Sequence, residues 1–310
     1  MEIILKNPIT WASPALLALI AIEWIYSRYK GHKKLYELKD FLTSSAMSIG
    51  VLILNTLLKF ISAAAIFYAV YELCNSEVNG IRTNVFGYQS FGWAWYVWIM
   101  CQFLDDFTHY WFHRLNHTVR VMWAAHMVHH SSEHYNYGTA LRISWVSNIY
   151  KPLFYAWLPM VGFHPEMVLF CLGIEAVWQF LLHTAYCPTL KYFNRLFITP
   201  RQHQVHHGKN IKYLDKNHGA IFNVFDKVFG SWQPLEDDIA IEYGVTKGPE
   251  TNNPIEINTH EYKAIWEDIK SSKSIREVLM FTFGPPGWSP DGKTLTVREL
   301  QRSSSHSYSK

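Results

Sequence analysis

Histidine is the residue type best placed to do chemistry in this chain: there are 16, and 13 of them fall between His109 and His218. His109, His113 and His117 follow one another at four-residue steps. On a helix such residues share a face one turn apart, so adjacent members can grip one ion together. His126, His129 and His130 form an HxxHH group, and His203, His206 and His207 repeat it. In each group the first and last members lie one turn apart. The middle one is rotated by about 100° from the last, which lets it reach a neighbouring ion or another coordination position. His183 stands between the groups, at the end of an apolar stretch.

Neutral imidazole suits Zn, Fe, Cu and Ni alike, so ligand type does not choose the metal. Number does more. A structural zinc takes four ligands, and a catalytic zinc takes three plus water. Eight or nine converging histidines exceed one ion's needs and fit two. Two redox-active irons are a reason to build such a site, since together they can reduce O₂ by stages and make an oxidant able to take hydrogen from an unactivated carbon. Imidazoles bring no negative charge, so carboxylates should orient them; Asp105, Asp106, Glu133, Asp215 and Asp226 are the candidates. His134 and His164 are read as non-ligands, and His32, His260 and His306 lie outside the cluster. No HExxH, GxSxG or Walker loop is present, and a haem, which uses two axial ligands, would leave most of these histidines unexplained.

Apolar segments must position these residues. Five stretches are expected to span a bilayer: Trp11–Tyr26 around one charge, Glu23; Ser45–Leu73, with Lys59 inside it; the Trp-rich Phe91–Leu104; and a hairpin of Val146–Gly162 and Glu166–Leu182. The first has no small-residue cleavage site after it and is read as a retained span. The loop Arg28–Lys39 holds five basic residues, and the loop between the second and third spans holds only Arg82. By the positive-inside rule the first loop is cytoplasmic, as is everything after His183, including 16 of the 28 Lys and Arg. All the histidine clusters then share that side.

Composition bounds the rest. A net charge of +3 without long basic runs gives no reason to expect nucleic acid, and four scattered cysteines suggest neither a disulfide framework nor a zinc knuckle.

The chain resembles the fatty acid hydroxylase/sterol desaturase superfamily of membrane di-iron enzymes. The likeness is carried by Trp111-Phe112-His113-Arg114 leading to His117, by His126…His129-His130, and by His203…His206-His207. Downstream, Asn217-His218-Gly219 and Phe225-Asp226-Lys227-Val228-Phe229-Gly230-Ser231 are similar to further family segments, with Phe225 and Ser231 in place of a usual Trp and Thr. Within the superfamily, His129-His130-Ser131-Ser132-Glu133, Thr139-Ala140-Leu141-Arg142 and Gly284-Pro285-Pro286-Gly287-Trp288 look most like alkylglycerol monooxygenase and its bacterial relatives. The resemblance implies that His113, His117, His126, His129, His130, His183, His203, His206 and His207 hold two Fe ions. His109 and His218 occupy places where the family commonly has aromatic residues, and are grouped with Glu133 and Asp226 as residues around the ligands. The resemblance also implies O₂ as co-substrate and an external electron donor, either a reductase, ferredoxin or cytochrome partner or tetrahydrobiopterin, although nothing in the sequence marks a pterin site.

These readings define an expected all-α integral membrane helical bundle of about five spans with a cytoplasmic histidine-rich cap. Residues 1–235 form the bundle and interleaved catalytic cap, 236–302 a polar cytoplasmic extension, and 303–310 a disordered tail. The expected activity is O₂-dependent hydroxylation of a C–H bond in an ether lipid, fatty acyl lipid or sterol, in a bacterial cytoplasmic membrane rather than the endoplasmic reticulum. A desaturase on the same site, or a histidine-rich metal transporter or sensor, are the alternatives.

Overall fold

The computed structural model describes residues 7–59 and 62–307. Helix α1 (Pro8–Tyr29) starts at an Asn7 cap, whose side chain accepts from the Ile9 amide at 3.0 Å, with Pro8 in the first-turn position that needs no N–H. It is followed by α2 (Leu38–Leu57) and α3 (Ala63–Cys74), a β-hairpin (β1, Asn75–Val78; β2, Ile81–Asn84), and the 24-residue α4 (Trp95–Thr118). Helix α5 (Arg120–His130), the short α6 (Ser147–Tyr155) and α7 (Trp157–Met160), and α8 (Pro165–Leu182) complete the apolar part. The rest holds α9 (Pro200–His206), α10 (Val224–Val228), α11 (Pro254–Ser271), α12 (Ile275–Phe283) and α13 (Val297–Ser307).

Among the described residues three helical segments are long and apolar enough to cross a membrane: Pro8–Tyr29, Lys33–Leu57 and Pro165–Leu182. They differ from the five expected spans for local reasons. Ser45–Leu73 is not one helix, because the chain breaks after Leu57 and Ser62 caps α3, accepting from the Ala65 amide at 3.3 Å. Val146–Gly162 is divided into α6 and α7 and contains Pro152 and Pro159, each of which removes a helical donor. Phe91–Leu104 instead supplies the start of α4, which is about 36 Å long at 1.5 Å per residue. The hairpin departs from the all-α expectation. It turns at Asn79 and Gly80, both at positive φ, as a tight two-residue hairpin requires. It also ties one end of the bundle together, Asn75 Nδ2 donating to Pro159 O and Asn84 Nδ2 to Val161 O. Ser303–Ser307, expected in a disordered tail, ends α13, and residues 308–310 lie outside the described residues.

The outward faces of α1 and α2 are apolar, with Leu17, Ile22 and Ile25 on one and Leu52, Ile53 and Leu57 on the other exposed. Such rows suit lipid better than water. The charge inside α1 is fully engaged: Glu23 accepts from Tyr36 Oη at 2.6 Å, Thr184 Oγ1 at 2.5 Å and the Tyr137 amide at 2.8 Å. One carboxylate thus fastens α1 to three loops around the histidines. Helix α4 begins with exposed Trp95, Tyr96 and Ile99 and turns buried and polar from Asp105 onward. It packs on α5 and on α8, and α11 and α12 pack on α5.

Helix α2 can receive Trp145 only because residue 50 is glycine: the indole donates from Nε1 to Met47 O at 3.0 Å, and a Cβ at Gly50 would collide with that ring. Gly50→Ala is expected to displace Trp145 and destabilise the protein by about 1–3 kcal/mol, the usual cost of overpacking. A lowered thermal midpoint of the detergent-solubilised protein, with weakened quenching differences at Trp145, would show it.

Candidate metal centre

The structure brings nine histidines into two groups. His113 and His117 of α4, His126 and His130 of α5 and His206 of α9 form the first; His129 of α5, His183 at the end of α8, His203 of α9 and His207 just after it form the second. Each HxxHH is shared between them. Its first and last members join one group and its middle member turns to the other. Helix α9 is only seven residues long, and its start is fixed by Pro200 in the first turn and by Gln202 Oε1, which accepts from the Thr199 amide at 3.3 Å.

The ring nitrogens face one another closely. His113 Nε2 lies 2.9 Å and His130 Nε2 3.1 Å from His126 Nε2. In the second group His183 Nε2 lies 3.1 Å from His129 Nε2 and 3.2 Å from both His203 Nε2 and His207 Nε2. On the far side of four rings, backbone carbonyls accept from Nδ1: His218 O for His113 (2.9 Å), Arg142 O for His129 (3.2 Å), Gln179 O for His183 (2.7 Å) and Lys216 O for His206 (2.9 Å). Those bonds place the proton on Nδ1 and aim the Nε2 lone pair inward. Burial holds all nine rings well below the usual histidine range, His129 at about 4 and His206 at about 3. Uncharged rings with lone pairs this close repel one another. His117 Nε2 and His206 Nε2 are buried with no partner at all. A cation resolves both problems, because ligands at right angles on bonds of about 2.1 Å sit about 3.0 Å apart. The residues fit metal ions.

Carboxylates hold the surrounding chain. Asp226 accepts from the His218 amide (2.7 Å), the Gly219 amide (2.9 Å) and Ser231 Oγ (2.8 Å), and so fixes the carbonyl that orients His113. Asp106 accepts from the amides of Ile221 (2.6 Å) and Phe222 (3.1 Å) in the same loop. Asp215 Oδ1 lies 3.5 Å from His117 Nδ1, and burial pushes its carboxyl up to about 7. Asp105 is buried one turn before His109, with Gln102 Nε2 donating to Oδ2 at 3.2 Å. Glu133 is exposed beside Gly244 and orients nothing in the centre. His109 and His218 are buried next to the first group without joining it. His134 lies 3.3 Å from Glu37, and His164 caps α8. Arg142 pairs with Asp40 at 3.0 Å, and Arg114 donates to Tyr110 Oη at 2.6 Å, so both hold structure.

Five of the nine histidines, with His109, line a cavity of about 1200 Å³. Its wall is formed by α1 and α2, through Leu16, Ile20, Trp24, Phe41 and Leu52 among others, and its rim includes exposed Leu17 and Ile49. Glu175, which also lines it, was not foreseen; the available signal was a lone acid inside an apolar run.

Residues 98–231 match the fatty acid hydroxylase family. That stretch contains all nine histidines and both anchoring aspartates, Asp106 and Asp226. The chain is 33% identical over 291 residues to human alkylglycerol monooxygenase, covering 93% of this chain and 61% of that protein. It is 24% identical over 256 residues to a Rhizobium tropici ornithine lipid hydroxylase, covering 77% of this chain and 73% of the relative. A Delta(7)-sterol 5(6)-desaturase of Gibberella zeae is 22% identical over 205 residues, 60% of this chain and 59% of the relative. The matched region thus spans less than two thirds of the human protein, and no solved structure matches the chain.

Asp226→Ala would free His218 and Gly219 and release the carbonyl that aims His113. If the two groups hold metal, analysis of the purified variant should show a larger loss from the first group than from the second, which this loop reaches through Gln179 and Gln202 rather than through the rings. Equal loss from both would contradict that division.

Proposed function

We propose that this protein is an O₂-dependent membrane lipid hydroxylase with a histidine-held di-iron centre on the cytoplasmic side. The observation that carries the reading is the pair of histidine groups at the inner end of an apolar cavity walled by two helices long enough to cross a membrane. The relatives' names, which include a lipid monooxygenase and a lipid hydroxylase, support it.

His113, His117, His126, His130 and His206 would hold one ion, and His129, His183, His203 and His207 the other. Bound iron pairs supply stepwise reduction of O₂ and an oxidant strong enough for an unactivated C–H bond. The protein's own contribution is positional. Burial keeps the rings neutral and bulk water from the centre, the Nδ1 contacts aim four of them, and α1 and α2 hold the alkyl chain by apolar contact. Reducing equivalents would come from an external donor such as a reductase, ferredoxin or cytochrome. The Arg28–Lys39 loop meets the segments beside the histidines, His32 bonding to Tyr186 and Leu35 O accepting from Asn136, and by the positive-inside rule this loop and the region after His183 would face the cytoplasm.

Purified protein supplied with iron, reductant and a long-chain lipid is expected to consume O₂ and give a product heavier by one oxygen atom. A product lacking two hydrogens would favour the desaturase chemistry named for the Gibberella zeae relative. Metal binding without O₂ uptake would point to a transporter or sensor, and full activity with zinc alone would exclude the di-iron reading. Sidedness is tested separately: a reporter at the C-terminus should read as cytoplasmic and one near Asn79 as external, and the reverse would contradict the orientation.

A further inference from the structure

We propose that Asn55 and Asn148 are specificity-determining residues: joined by a hydrogen bond, they close the far end of the substrate cavity and so set the longest lipid chain it admits. This rests on the lipid hydroxylase reading and adds to it a limit on the substrate's length and the place where that limit is built.

A second cavity, of about 640 Å³, borders the first on the side away from the histidines. The same helices line both. On α8 the first cavity takes Ala176 and Gln179, nearer His183, and the second takes Glu166 and Phe170, nearer the start of the helix. On α2 the change falls between Leu52, which faces the first, and Leu54, which faces the second. Helix α1 reaches the second cavity through Asn7 and Thr10 alone. Helix α6 turns one face to each, and its Asn148 lines both. The two cavities are thus successive sections of one path that leaves the histidines and runs along the bundle.

Two contacts divide that path. On one side α1 lies against α8 at Gly173, between Phe170 of the second cavity and Ala176 of the first. A Cβ at Gly173 would stand 2.5 Å from Pro8 Cδ and 2.6 Å from Asn7 Oδ1, so the start of α1 rests on the backbone of α8 and leaves no passage there. On the other side α2 and α6 are joined by side chains: Asn148 Nδ2 donates to Asn55 Oδ1. The chain neighbours of the pair, Leu54 and Ile149, are apolar and border the second cavity. A hydrocarbon end pushed between the two amides would part a donor from its acceptor and offer neither a replacement, which is costly away from water. The amide pair is therefore a stop, and unlike the contact at Gly173 it is made by two side chains that substitution can remove. Gly173 lies ten residues before His183, so the stop falls about 15 Å along α8 from the second histidine group at 1.5 Å per residue. A lipid whose reacting carbon is at the histidines has that depth for the rest of its chain.

The test is competition for the full-length, iron-loaded protein in detergent micelles. The probes are saturated 1-monoacylglycerols whose chains lengthen two carbons at a time, supplied at equal concentration, and the lipid retained by the isolated protein is counted by mass spectrometry. Native protein should retain chains up to one length and bind the next about tenfold less, the usual effect of overpacking a closed site. Asn55→Ala and Asn148→Ala break the same contact from opposite sides, and each should abolish that drop and move it to longer chains. Because Asn55 is exposed, its replacement leaves the packing of α2 intact. Adding Ala64→Phe, which fills the second cavity, should bring the limit back to the native length in either background. A native protein with no length limit overturns the proposal, as does a limit that neither asparagine variant moves. A longer limit that survives Ala64→Phe overturns it too, since the added carbons would then lie elsewhere. Failure of native protein to retain any of the lipids would instead overturn the hydroxylase reading beneath it.

Discussion

Nine uncharged imidazoles are packed so that their nitrogen lone pairs converge, and the rest of the structure serves to keep them there. Left alone the rings would turn aside or take up protons, and burial blocks protonation. For four of the nine, turning is blocked by backbone: the carbonyls of His218, Arg142, Gln179 and Lys216 each bind an Nδ1. Two of these carbonyls are fixed in turn by side chains. Asp226 holds the His218 loop, and the Asp40–Arg142 pair holds the segment that orients His129. Layered support of this kind around the rings is what a metal centre of neutral ligands requires.

The same logic reaches beyond the apolar helices. Helices α11 and α12 form no separate unit but press on α5, the helix that carries three of the nine histidines. Arg120 at the start of α5 pairs with Glu261 at 2.8 Å and Asp268 at 2.6 Å, and its amide donates to Gly284 O at 3.0 Å. On the opposite side, Glu23 of α1 binds Thr184, the neighbour of His183. Membrane-facing and polar parts are joined through the histidines, and the cavity lies where they meet.

The grouping of the histidines was legible in the sequence because helical spacing alone decides which rings share a face, and the HxxHH pattern already implied a middle member facing elsewhere. The helix boundaries were less so. Average apolarity merged α2 with α3 across Lys59 and Ser62, where a cap and a charge mark the break, and it joined α6 to α7 despite Pro152 and Pro159. The orienting groups were nearly invisible, since backbone carbonyls leave no trace in residue type. Glu133 looked suited by its place beside the histidines, yet the turn after His130 leaves it at the surface, while Asp106 and Asp226 act through loop amides. His109 illustrates the limit best: its spacing matched His113, but its partner, Glu175, lies on another helix.

The central claim is that two ions, both iron, sit in the two histidine groups, and anomalous X-ray scattering from crystals of the metal-loaded protein tests it most directly. Data collected on either side of the iron edge should show two anomalous peaks. One should lie among His113, His117, His126, His130 and His206, and the other among His129, His183, His203 and His207. A single peak, a peak at His109, or a signal that appears only at the zinc edge would contradict it.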